Sequence, residues 1–172
     1  MYLESHCRRQ PSNDRASTMS AITFMFKCAR CHADFRAPGL SDFSYGLFVM
    51  KTESADDAAF LDAQSDNAFL ESCDLVQQNK LVANLTGRKL SRLQQAVFTT
   101  TCDPGPHGDA FRIGLRPKCP TCGFRDMESW EPVRPIQEWP LPVVEHQAWN
   151  AKTLSEKIEV IDRAVEDHLA NN

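Results

Sequence analysis

Two short stretches hold the residues with the clearest chemistry: KCARCHADF, which carries Cys28 and Cys31, and RPKCPTCGFRD, which carries Cys119 and Cys122. A C-x-x-C turn presents two thiolates at the separation of two corners of a tetrahedron around a divalent metal ion. Two such turns complete the shell. Pro120 fixes the backbone entering the second turn, and Gly123 permits the positive φ needed just after its second cysteine. His32 stands at the place of that glycine in the first turn, a poorer but tolerable choice.

Paired C-x-x-C units are usually about 15 to 20 residues apart, whereas 87 residues, His32 through Lys118, separate these two. Loop-closure entropy grows only with the logarithm of length, so the longer separation costs about 1.4 kcal/mol. Structural zinc returns roughly 10 to 16 kcal/mol. The separation is therefore affordable, and the intervening chain has strand and helix patterns of its own.

The pairs CARC and CPTCG resemble the knuckles of zinc ribbons, and CPTCGF also resembles the second knuckle of rubredoxins, which carry iron. The resemblance covers about residues 22 to 37 and 111 to 130. It implies that Cys28, Cys31, Cys119 and Cys122 are the four ligands of one structural zinc ion. Iron in the same shell, and independent redox dithiols or free cysteines, stay open as alternatives. A thioredoxin-type pair opens a helix after a strand, which the proline-bearing turn followed by GFRDMESW does not match.

The elements that must position these cysteines follow from pattern. AITFMFK (Ala21 to Lys27) and ADFRA on either side of the first pair read as two strands of a hairpin, and AFRIGLRPK (Ala110 to Lys118) followed by GFRDMESW suggests a second hairpin with the other pair at its tip. FSYGLFVM, from Phe43 to Met50, reads as a further strand. Apolar residues at helix spacing predict helices over 67–78 and 88–98, with a loop at TCDPGPHGD. Prolines at 132, 135, 140 and 142 predict an extended surface segment. Thr153 and Glu156 form a capping box ahead of the stripe Leu154, Ile158, Ile161, Val165 and Leu169, which predicts a C-terminal helix over about 153–170.

The expected fold is α+β: zinc-ribbon β-hairpins forming a small antiparallel sheet, with a long mixed insertion and a C-terminal helix. Residues 1–18 read as a disordered tail holding Arg8, Arg9 and Arg15, and 19–172 as one zinc-ribbon domain. Within it lie an insertion at about 40–109, a proline-rich segment at 131–142 and the final helix. No apolar run approaches the roughly 18 residues that span a bilayer. The tail lacks the apolar centre of an export signal, so the sequence predicts a cytoplasmic protein without a membrane partner.

Formal net charge is -4, against a protein that coats nucleic acid. Acids outnumber bases from Asp42 to Asp109, yet Lys27, Arg30, Arg36, Arg112, Arg116, Lys118 and Arg125 flank the cysteine pairs. Those bases can offset the -2 charge of a four-thiolate zinc, or can form contacts to phosphate or an acidic partner through Arg30, Arg116, Lys118 and Arg125.

Other candidates read blandly. Cys73, Cys102 and His107 do not add up to a second four-ligand site, Cys7 falls in the tail, and His146 and His168 read as surface or packing histidines. Asp56 and Asp57 after Ser54 suggest a helix start. Trp130, Trp139 and Trp149 read as packing or interface anchors. With no nucleophile and base pair, phosphate loop or open metal position in view, the expected role is non-enzymatic: a structural zinc protein that binds another protein, an immunity or antitoxin-like role being one form. The alternative is a nucleic-acid-binding ribbon, and a rubredoxin-like electron carrier ranks third.

Overall fold

The computed structural model describes residues 18–41 and 44–171. The chain runs β1 (Thr18–Cys28), β2 (Asp34–Gly39), β3 (Leu47–Thr52), β4 (Ala58–Asp62), α1 (Asn67–Gln78), α2 (Gly87–Phe98), β5 (Phe111–Arg112), β6 (Met127–Pro132), β7 (Glu138–Pro142), α3 (Gln147–Asn150) and α4 (Leu154–Ala170). It is an α+β fold with two small antiparallel sheets and a C-terminal helix.

β1 organises the first sheet. β2 pairs along one edge of it, while β6 and then β7 pair along the other, β6 against Phe24–Cys28 and β7 against Thr18–Ile22. Between them the Thr23 N–H donates to the Gln137 carbonyl at 2.8 Å, and the Val133 N–H donates to the Thr23 carbonyl at 2.9 Å. Five residues of β7, paired with β1, therefore lie inside the segment expected only to run extended over the surface. Pro140 and Pro142 fit because alternate residues of an antiparallel edge strand turn their N positions away from the partner.

The second sheet is β4–β3–β5, also antiparallel. Register assigns its two faces. Leu47, Val49 and Ala58, with buried Phe60, meet Ala21, Leu141 and Trp139 of the first sheet; Met50, Ala59 and Leu61 pack toward Phe98, Phe111 and Val144. α1, α2 and α4 close a separate apolar core of Leu75, Val76, Leu93, Val97, Trp149, Ile161 and Val165.

Helix ends follow their sequence signals. The Asp66 side chain accepts from the Phe69 N–H at 2.7 Å to start α1, and both bonds of the Thr153–Glu156 capping box are made at the start of α4. Two expectations are corrected. Asp56 and Asp57 do not start a helix: Asp56 adopts φ 59° in the turn between β3 and β4, a backbone that aspartate tolerates better than most residues. AFRIGLRPK forms a strand only at Phe111–Arg112, and that strand joins the second sheet; Gly114, at φ 85°, turns the chain away. The second cysteine pair thus lies in a connection between the two sheets rather than at the tip of a paired hairpin. Phe43, from the expected FSYGLFVM strand, lies outside the described residues, as does the N-terminal tail through residue 17; the strand itself covers Leu47–Thr52.

Candidate metal centre

Each cysteine pair folds as a tight knuckle, and the two are built alike. In the first, the Cys28 N–H donates to the Ala33 carbonyl at 3.0 Å and the His32 N–H to the Cys28 carbonyl at 3.0 Å; in the second, Cys119 donates to Phe124 at 2.9 Å and Gly123 to Cys119 at 2.8 Å. His32, at φ 56°, and Gly123, at φ 73°, hold the equivalent left-handed position, as their alignment in sequence predicts. The β1–β2 hairpin presents the first knuckle. Cys119 N–H to Phe124 closes the second, and the Ala29 N–H donates to the Asp126 carbonyl at 3.0 Å to hold the two side by side.

The four Sγ atoms all lie within 4.8 Å of one another. Cys28 and Cys122 approach to 3.5 Å, Cys31 and Cys119 to 3.6 Å. These separations are far beyond the roughly 2.05 Å of a disulfide. They approach the edge of about 3.8 Å for a sulfur tetrahedron with 2.3 Å bonds. Cys28 and Cys119 are buried, Cys31 and Cys122 half-buried, with Phe26, Phe35 and Met127 around them. Four cysteines are arranged to hold a metal ion, and they supply all four corners.

The surroundings favour negative sulfur at two of the positions. Backbone donors, the Cys31 N–H foremost, hold the Cys28 thiol below its ordinary value against the opposing effect of burial. Burial acts to raise Cys119, but the N–H groups of Cys122 and Thr121 and the neighbouring thiols draw it down to about 6. Cys31 receives the Ala33 N–H, yet burial and its bonding to Cys122, Cys119 and Cys28 push it up to about 12. A bound cation replaces this sharing of protons with outright deprotonation.

The flanking bases divide into two groups. Arg125 turns inward: its guanidinium donates to Asp56 Oδ1 at 2.8 Å and to the carbonyls of Thr52 at 3.0 Å, Glu53 at 2.7 Å and Arg116. The Lys118 N–H donates to Asp56 Oδ2 at 3.1 Å, and its ammonium to the Ser54 carbonyl at 3.0 Å. These two residues fasten the second knuckle to the β3–β4 turn. Arg30 and Arg116 stay exposed, lying 4.7 Å from the centre of the Phe124 ring and 5.8 Å from that of Trp130.

Asp56 is the residue that sequence reasoning missed. Its carboxylate serves Arg125, the Lys118 N–H and, at 3.5 Å, the Lys51 ammonium. Its partners at 118 and 125 lie more than sixty residues away, so the only signal in the sequence is an aspartate where a left-handed turn is needed.

The remaining candidates stand apart from the four cysteines. His107 pairs with Asp57 at 2.9 Å, Cys102 donates weakly to the Phe98 carbonyl at 3.8 Å, and Cys73 lies on α1. Burial pushes the Cys73 thiol up to about 11 and the Cys102 thiol up to about 12, and among the described residues neither has other metal-ligating side chains gathered around it as the four cysteines do. His146 is a packing residue with both nitrogens engaged, Nε2 with Asp66 at 3.1 Å and Nδ1 with the Thr101 carbonyl at 2.9 Å; His168 is half-buried on α4. Trp149 is buried and donates to Glu71 at 2.8 Å, Trp139 is half-buried, and Trp130 is exposed. Among the described residues no helix is long and apolar enough to cross a membrane.

No family model, no curated protein and no solved structure matches the chain. The arrangement of Cys28, Cys31, Cys119 and Cys122 is compatible with a zinc-ribbon-like site.

Proposed function

We propose that the chain is a non-enzymatic zinc protein: one ion on Cys28, Cys31, Cys119 and Cys122 is structural, and the fold around it presents a surface to a protein partner. The observation that carries the first half is the sulfur cluster, whose edges fit a tetrahedron and whose four corners are all cysteine. A closed four-thiolate shell leaves no position for substrate or water, so its contribution is to the fold. The rubredoxin-like reading keeps the same shell with iron in it.

The interaction half is supported by a groove between α1, the 3-10 turn at Lys80–Val82 and α4. Leu81 and Ile158 line it while remaining 55% and 40% exposed, with Asp162 and Glu166 on its rim. Glu156, Glu159, Glu166 and Asp167 are exposed along α4, against Arg163 as its exposed base. Apolar anchors beside Asp162 and Glu166, with Lys80 as the one base lining the groove, and the further acids along α4 suit a partner with a basic amphipathic face, and an immunity or antitoxin-like protein that masks a basic cleft is one form. Cross-linking capture with the wild type and with Leu81→Asp, Ile158→Asp tests it. A basic partner retained by the wild type and lost from the double variant is the expected result; equal retention contradicts this face.

Nucleic-acid binding is the second reading, favoured by exposed Arg30 and Arg116 against the rings of Phe124 and Trp130 beside the knuckles. It requires binding that weakens steeply with salt and falls when Arg30 and Arg116 become alanine. Salt-insensitive or absent binding of an oligonucleotide removes it.

A further inference from the structure

Where the two sheets meet, their apolar interface gives way to charge. Lys51 follows Leu47 and Val49 on the face of β3 that packs against the first sheet, yet it is a lysine, and it is only 3% exposed. A buried ammonium needs close compensation. Its carboxylate, Asp56, stands 3.5 Å away and already serves the Arg125 guanidinium at 2.8 Å and the Lys118 N–H at 3.1 Å. Arg36, exposed on β2, has no ion pair or side-chain hydrogen bond among the described residues. Two cations, Lys51 and Arg125, thus share the one carboxylate, and Arg36 lines the same recess as Lys51 with no carboxylate of its own.

Lys51, Asp56 and Arg36 line a recess of about 300 Å³ whose remaining walls are apolar: Ala37 and Pro38 of β2, Ala58 of β4, and Trp139 and Leu141 of β7. That volume is at the small end of ligand pockets. The geometry points to a binding site for a small organic carboxylate, its charge between Arg36 and Lys51 and its apolar body against Trp139 and Leu141. Arg36 can offer a planar pair of donors to the carboxylate, and Trp139 a face to a ring or alkyl group. Asp56 does not oppose this, because the net charge around the recess stays positive after its own is counted. The site is separate from the cysteine cluster and independent of the protein-partner reading.

Benzoate is the probe, with benzamide as its neutral counterpart, titrated into the metal-loaded full chain in low-chloride buffer and followed by two-dimensional NMR. We expect saturable shifts at the Trp139 indole and Arg36 signals with benzoate, and binding of benzamide weaker by about tenfold or more. Arg36→Ala leaves an exposed position and should fold; it should weaken benzoate by about tenfold with an unchanged melting curve. Lys51→Met should also abolish the preference for benzoate over benzamide. The site is refuted by unchanged spectra at millimolar benzoate, by equal binding of benzamide, or by undiminished binding to Arg36→Ala.

Discussion

His32 and Gly123 occupy matching left-handed positions after the second cysteine of each knuckle, one with a side chain and one without. Gly123→Ala adds a Cβ where L residues pay roughly 1 to 2 kcal/mol, and should lower stability by about that amount. In His32→Gly the relief of the same strain is offset by the wider freedom of glycine in the unfolded chain and by the loss of an exposed pair to Glu128. Its stability should stay within about 0.5 kcal/mol of the wild type. Urea unfolding of the two variants checks the contrast.

Asp56 gives a sharper test at this scale. Removing it leaves Lys51 buried without a counter-charge and frees Arg125, so Asp56→Ala should cost about 3 kcal/mol, in the range of broken buried ion pairs. A loss below about 1 kcal/mol by chemical denaturation, the level of a surface pair, contradicts the fastening role. The four cysteines, the proline and the left-handed positions were legible because their meaning is local. Asp56 was not, since the knuckle it holds, through Lys118 and Arg125, lies more than sixty residues away in sequence.

Among the elements, α4 was legible through its cap and its apolar stripe. Thr153→Ala removes both the side-chain bond to the Glu156 N–H and the hydroxyl that meets Glu156 Oε2, and should cost about 1 kcal/mol in a thermal melt. Strands were harder to read. β4 has five residues and no alternation, because one of its faces packs on the first sheet and the other toward the helical side. β7 was hidden by prolines that disqualify a central strand but suit an edge, and β5 by a glycine that ends it after two residues.

α1 and the segment entering α3 are joined by Asp66 and His146, and the pair sets a pH dependence. Burial works to lower the His146 pKa, but the Asp66 carboxylate and the Thr101 carbonyl outweigh it and hold the imidazolium above its ordinary value. Burial works to raise Asp66, but His146 and the Phe69 N–H hold the carboxyl below the usual range. The histidine part is therefore full below the unfolded pKa of about 6.5 and fades as pH rises through the folded value; the aspartate part is full above about 3.8 and fades as pH falls through its folded value. The stability difference between wild type and His146→Gln should be greatest between about pH 4 and 6.5 and shrink above it. A difference that grows toward pH 9 contradicts the assignment.

At the scale of the molecule, the sequence made the α+β class visible but not the stacking of the two sheets. That stacking depends on one eleven-residue strand sharing its edges among β2, β6 and β7, a set of long-range pairings that no local pattern encodes. The second knuckle is the connection between the sheets, fixed to one by β6 and to the other through Lys118, Arg125 and Asp56. Metal loss should therefore loosen more than a turn. Chelation by a strong zinc ligand should remove the cooperative thermal transition, because the ion supplies roughly 10 kcal/mol or more to a fold whose net stability is of the same order.

The most direct test of the central claim is native mass spectrometry with elemental analysis, on protein purified without added metal and on a Cys119→Ser, Cys122→Ser variant. The account predicts one zinc per chain, absent from the variant together with cooperative unfolding. Metal-free wild type with free thiols or a disulfide that still unfolds cooperatively, or a variant that does so, would contradict it.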